Sequence, residues 1–116
     1  TGTWHPLIEH WNGKQWTQNF PANSPPPREA ASLAYDSSTR SAVLFGGLQD
    51  QAGDNFGDTW TWNGVNWTQQ FPAMSPPPQR KASMAYDSAT RSVVLLGGLG
   101  DYGATWTWNG TTWTLD

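Results

Sequence analysis

The sequence predicts an all-β protein built from repeated four-stranded antiparallel sheets, and three observations carry that prediction. The first is internal repetition. WNGKQWTQNFPANSPPPREAASLAYDSSTRSAVLFGGL, from Trp11, returns as WNGVNWTQQFPAMSPPPQRKASMAYDSATRSVVLLGGL, from Trp62, at a constant offset of 51 residues (62 − 11). A third WNG opens at Trp108, a further 46 residues on (108 − 62). Self-similarity at a period near 50 residues marks an array whose units bury their faces against neighbours. The second observation is the alternation of short runs of Thr, Trp, Val and Leu with Asn-Gly and Gly-Gly, a strand-and-hairpin pattern without helical periodicity. The third is composition: 9 Trp, 12 Gly and 9 Pro in 116 residues, of which only 13% are charged. Aliphatic side chains are scarce, so aromatic rings, each able to bury about 150–250 Å², must supply much of the core. A mean hydropathy of −0.64, set mostly by Asn, Gln, Ser and Thr, suits a polar β-protein.

The elements follow in order. Leu7 to Thr17 aligns only with the last two strands of a unit, c and d, so residues 1–20 read as a half unit. Residues 21–71 and 72–116 read as two complete units, each with its connector. In the first, Ala31–Tyr35 is strand a, Asp36–Thr39 a polar turn, and Arg40–Gly47 strand b with its most apolar stretch at Val43–Phe45. Thr59–Trp62 alternates as strand c, Asn63-Gly64 supplies a tight turn tolerant of the left-handed conformation, and Asn66–Gln69 alternates as strand d. Ser75-Pro76-Pro77-Pro78 cannot join a ladder and is an extended connector. Four strands cannot bury two faces alone; stacking such sheets radially does, which is the logic of a β-propeller. Propellers close with several blades, commonly 4–8. Two and a half cannot close alone, so the expected partner is another copy, with a ring of three favoured over two because three copies supply six complete blades. A piece of a longer propeller is the alternative.

YDSSTRSAVLFGG followed by GDTWTWNGVNWTQ, and YDSATRSVVLLGG followed by GATWTWNGTTWTL, resemble bacterial kelch repeats of the galactose oxidase/kelch-like family. The marks are Tyr35-Asp36 and Tyr86-Asp87 closing strand a, Gly46-Gly47 and Gly97-Gly98 ending strand b, and the spaced Trp62, Trp67, Trp108 and Trp113 on c and d. The resemblance covers Arg28 to Asp116. The sequence departs from the Arg-x-Gly-His that often precedes strand a, having Arg28-Glu29-Ala30-Ala31 and Gln79-Arg80-Lys81-Ala82 instead. The resemblance implies kelch-type propeller blades, close backbone approach at the paired glycines, and local ion pairs of Asp36 with Arg40 and of Asp87 with Arg91. It also implies a ligand-binding rim at Arg28, Glu29, Arg80 and Lys81, where the two repeats diverge.

Composition narrows the function classes. Six Lys and Arg against nine Asp and Glu give a net charge of −3, which argues against nucleic-acid or anionic-membrane surfaces. Cys is absent, so there is no disulfide, thiol nucleophile or Cys-linked copper site. No apolar run reaches the roughly 18 residues of a membrane helix and no signal segment stands at Thr1, which leaves extracellular and cytoplasmic locations equally open. Asp50, Asp54 and Asp58 offer oxygen ligands on one loop, but without EF-hand spacing they read as solvated carboxylates. His5 and His10 point to opposite faces of a strand, so they do not share a metal. No Gly-x-Ser-x-Gly elbow exists. The expectation is a protein without enzyme activity, metal or cofactor, a binding or scaffold module. The competing reading is a lectin-like propeller that stacks sugars on exposed Trp, with Trp4, which has no counterpart in either complete unit, the least constrained.

Overall fold

The computed structural model describes residues 8–49 and 52–116, which fold into ten strands with no helix among them. Strands β1 (Ile8–Trp11) and β2 (Trp16–Asn19) form an antiparallel hairpin. Strands β3 (Ser32–Asp36), β4 (Ser41–Phe45), β5 (Thr59–Trp62) and β6 (Trp67–Gln70) form the first four-stranded sheet. Strands β7 (Ser83–Asp87), β8 (Ser92–Leu96), β9 (Thr105–Trp108) and β10 (Trp113–Leu115) form the second. Both sheets are antiparallel meanders in chain order, because every connection between neighbours is short enough to be a hairpin or a loop. The described residues thus form antiparallel sheets of two, four and four strands.

The register gives each sheet two chemically distinct faces. Directly paired residues share a face, and alternate residues along a strand change face. In the first sheet the pairs Leu33–Leu44, Tyr35–Ala42, Leu44–Trp60 and Trp62–Trp67 define a Trp face. The pairs Ala34–Val43, Phe45–Thr59 and Thr61–Thr68 define the opposite, Thr face. The second sheet repeats this, with Met84, Tyr86, Val93, Leu95, Trp106, Trp108 and Trp113 on its Trp face.

The Trp face of the second sheet packs on the Thr face of the first. Val43, Phe45, Val93, Leu95, Trp106, Trp108 and Trp113 make one buried cluster, flanked by Ala34, Met84 and Tyr86. Trp113 is central: its ring meets Phe45 edge-on at 5.5 Å, and its indole N–H donates to Thr59 Oγ1 at 2.9 Å. At the inner end the Ser32 hydroxyl donates to the Ala82 carbonyl at 2.7 Å, and Lys81 N–H to the Ala30 carbonyl at 2.9 Å.

Local chemistry explains the turns. Each WNG loop spans four residues rather than a two-residue turn, because the Asn side chain organises it. Asn63 Oδ1 accepts from the N–H groups of Val65 (2.8 Å) and Asn66 (2.9 Å), and Asn12 and Asn109 do the same in their loops. Gly46 bears out close approach at the paired glycines: its φ is +71°, and a Cβ there would stand 2.5 Å from the Gln79 carbonyl oxygen of the second unit's connector.

The a–b turns correct one expectation. Asp36 and Arg40 do not pair, nor do Asp87 and Arg91; the ion pair among the described residues joins Arg28 to Asp58. Asp36 Oδ1 instead accepts from Ser38 N–H (3.0 Å) and Oγ (2.5 Å), and Asp87 Oδ1 from Ala89 N–H (3.0 Å). Arg40 and Arg91 occupy the left-handed region, φ +56° and +54°, with exposed side chains. The turn uses its carboxylate to tie down its own backbone, which a neighbouring guanidinium does not replace.

Candidate functional site

The rim residues singled out in the sequence have different fates. Arg28 is built in. Its guanidinium makes a bidentate pair with Asp58 (2.5 and 2.9 Å), donates to the Gly46 carbonyl (3.0 Å) and lies 3.8 Å over the Phe56 ring. Asp58 also accepts from the Trp60 indole at 2.7 Å. Burial alone would raise the Asp58 carboxyl, but the hydrogen bonds from Arg28 and Trp60 and the guanidinium charge outweigh it, holding the group below its ordinary 3.8. Glu29 is exposed at its side chain and pairs through its backbone with Leu48. Arg80 reaches from the second unit to the b–c loop of the first, donating to Asn55 Oδ1 (3.0 Å) and the Gly53 carbonyl (3.4 Å). Lys81 is exposed, in the left-handed region at φ +60°. The rim thus brings Arg80 onto the neighbouring loop and leaves Glu29 and Lys81 to solvent. Trp4, His5 and Asp50 lie outside the described residues. Among the described residues no three His, Cys, Asp or Glu side chains gather as metal ligands.

Residues that sequence reasoning passed over complete the picture. In the second unit Gln79 stands where Arg28 does and Ala104 where Asp58 does, so both partners of the ion pair change together. Gln79, fully buried, accepts from Gly98 N–H (2.9 Å) and donates to the Pro77 carbonyl (3.1 Å). The Trp106 indole finds its acceptor in Asp101 Oδ2 (2.8 Å), from a different loop position. That joint change was the signal available for a contact between positions 28 and 58.

The strongest surface feature is the pair of uncovered sheet faces. The Trp face that is buried in the second sheet is open at the inner strands of the first, where Leu33 and Tyr35 are 57% and 58% exposed. The Thr face that is buried in the first sheet is open in the second. Ser32, Ala34, Asp36, Val43 and Thr59 are repeated there as Ser83, Ala85, Asp87, Val94 and Thr105, with Phe45 becoming Leu96. Val93 and Leu95, on the packed side of β8, are fully buried, while Leu96, on the other side, is 51% exposed. The hairpin continues the stack on the first sheet's side. Its Ile8, His10, Thr17 and Asn19, on one face of the hairpin, border with Glu9 and Asn12 a groove shared with Trp62 and Gly64. Its opposite face presents Trp11 and Trp16 to solvent.

Compared with models of protein families and with curated proteins, the chain matches none.

Proposed function

We propose that the chain is a non-enzymatic binding and scaffold module of the kelch-like propeller kind, whose sheets serve as blades and whose ring is completed by further copies of itself. One observation carries this reading: the faces left open at the two ends repeat, in pattern and at most positions, the two faces that meet in the buried interface. A Thr-type face is thus the expected cover for an open Trp-type face, and each copy has one of each to offer. Contacts of this head-to-tail kind close into rings or run on as filaments. Leu33, Tyr35 and Leu96 are the apolar side chains such closure would bury.

Light scattering across micromolar concentrations tests the reading. A ring of three complete pairs of blades runs at three times 12.8 kDa, a two-copy ring at twice that mass, and a folded species that stays at 12.8 kDa at every concentration refutes self-assembly.

A second reading, carbohydrate binding, is favoured by the exposed rings of Trp11 and Trp16, which share a face with the polar Glu9 and Gln18. Glycan-array binding that is lost on Trp16→Ala supports it; an array without signal removes it.

A further inference from the structure

We infer that the Trp11–Trp16 face of the hairpin docks on the outer half of the second sheet's Thr face in another copy of the chain, with the Trp16 indole N–H donated to Thr105 Oγ1. The inference rests on the self-assembly reading above, and adds to it the face, the register and the number of copies.

The template is inside the molecule. The cross-strand Trp pairs Trp11–Trp16, Trp62–Trp67 and Trp108–Trp113 have one geometry, with ring centroids 5.6, 5.4 and 5.4 Å apart and planes at 47°, 45° and 48°. What differs is cover. Trp113 is 1% exposed, with Phe45 against its ring and Thr59 accepting its N–H, whereas Trp16, the same residue of the hairpin, is 63% exposed. The two groups that cover Trp113 recur in the second sheet: Thr59 is the first residue of TWTW and returns as Thr105, and Phe45 ends strand b and returns as Leu96. Thr107, Thr114 and Val94 line the open groove beside them. The second sheet therefore carries the cover that Trp16 lacks. A small ring-sized contact of this kind is weak alone. Closing two such contacts at once makes the second intramolecular and raises the effective affinity of the pair.

The number of copies follows from where the hairpin sits. Facing Trp62 and Gly64 across their shared groove, the hairpin stands at the outer half of a blade position, so each copy would fill three positions and two copies six. Three copies make a six-position ring only if all three hairpins leave the first sheet.

Cysteine pairing reads the register directly, since the chain has no Cys of its own. A variant carrying Gln18→Cys, on the Trp16 face of β2, and Thr105→Cys, treated with a bis-thiol cross-linker that spans the roughly 10 Å between stacked sheets, is expected to run as a covalently linked dimer on a denaturing gel, while Gln18→Cys with Thr68→Cys stays largely unlinked. In light scattering the wild-type chain is expected at twice 12.8 kDa. Trp16→Ala is expected to weaken association roughly 30-fold, as loss of an interface Trp does, with the amide NMR spectrum of the two four-stranded sheets in the dilute single copy unchanged because the ring is exposed there. Association that is indifferent to Trp16→Ala, or equal linking in both cysteine variants, overturns the docking and leaves self-assembly standing. A three-copy ring does the same. A wild-type chain that never associates overturns both, and a monomer that binds glycans through Trp16 gives the pair to carbohydrate instead.

Discussion

Thr59→Val is the sharpest perturbation of the joint between the two four-stranded sheets. The side chain is buried, and its hydroxyl is the acceptor of the Trp113 indole N–H, the polar contact that links β5 to β10 across 54 residues of chain. Valine matches threonine in shape and suits a strand at least as well, so the substitution opens no cavity and costs no β-propensity. What it leaves is a buried N–H without a partner. That costs about 1–3 kcal/mol, more than the net value of the bond itself, because the donor has already left water. With urea slopes of about 1–3 kcal/mol per molar for small domains, the midpoint should fall by about 1 M. The measurement is urea unfolding followed by Trp fluorescence at one fixed protein concentration, since association would itself shift the midpoint. Repeating Thr59→Val in a Trp113→Phe background closes a double-mutant cycle. With no indole N–H to orphan, the second Thr59→Val should cost almost nothing. An unchanged midpoint in the first background, or an equal loss in both, would refute the assignment of this bond as the link.

Three further outcomes are expected. Arg91→Gly should raise unfolding stability in urea by up to about 1 kcal/mol, because an L-residue in the left-handed region costs about 1–2 kcal/mol and the greater chain entropy of glycine returns part of that gain; a loss of stability would show that the arginine side chain matters at this turn. Asp58, whose carboxyl is depressed in the folded state, stabilises the fold fully above its ordinary 3.8 and loses that contribution as pH falls through the lower folded value. Asp58→Asn should therefore cost about 3 kcal/mol or more at pH 7, by leaving Arg28 buried without its countercharge, and should flatten the acid limb of the unfolding profile. Ile8→Thr places a hydroxyl at the hairpin position that corresponds to Thr59, and Trp67 has a buried indole N–H with no partner among the described residues; slower exchange of that N–H, seen by NMR, checks the correspondence.

Much of the fold was legible because it is written twice. Thr59–Trp62 was read to the residue, since its alternation is strict and the next residue is the Asn that organises the loop. Strands a and d were each read one residue early. For strand a the reason is physical: Asp36 belongs to the ladder through its backbone and to the turn through its carboxylate. Arg40 was read by its charge, as half of an ion pair, when its backbone conformation is what the turn demands of it. The Arg28–Asp58 pair escaped because its partners stand 30 residues apart and only their joint replacement by Gln79 and Ala104 betrays the contact. Asp101 is legible as the one carboxylate the second repeat keeps on this loop, but its contact with Trp106 is not, because the loop differs in length and the strand offset does not carry Asp101 onto Asp58.

The two indole acceptors show where the molecule is free to change. Trp60 donates to Asp58, two residues before it, and Trp106 donates to Asp101, five residues before it, across a loop shortened by five residues (51 − 46). The requirement that a buried N–H be met is kept, while the loop's length, sequence and countercharge are not. The sheet faces behave oppositely: Ser, Ala, Asp, Val and Thr recur at the same positions of both Thr faces, although one of the two lies open. Identity is thus concentrated on the Thr faces, with Leu96 in place of Phe45 the apolar change, while length and charge vary on the loops above, where Arg80 crosses to Asn55. Assembly and any recognition at the rim are separable on that basis. Substitutions at Leu33, Tyr35 or Leu96 should move the association state and leave the rim alone, whereas exchanging Glu29 and Lys81 should alter rim chemistry in a chain that associates as before.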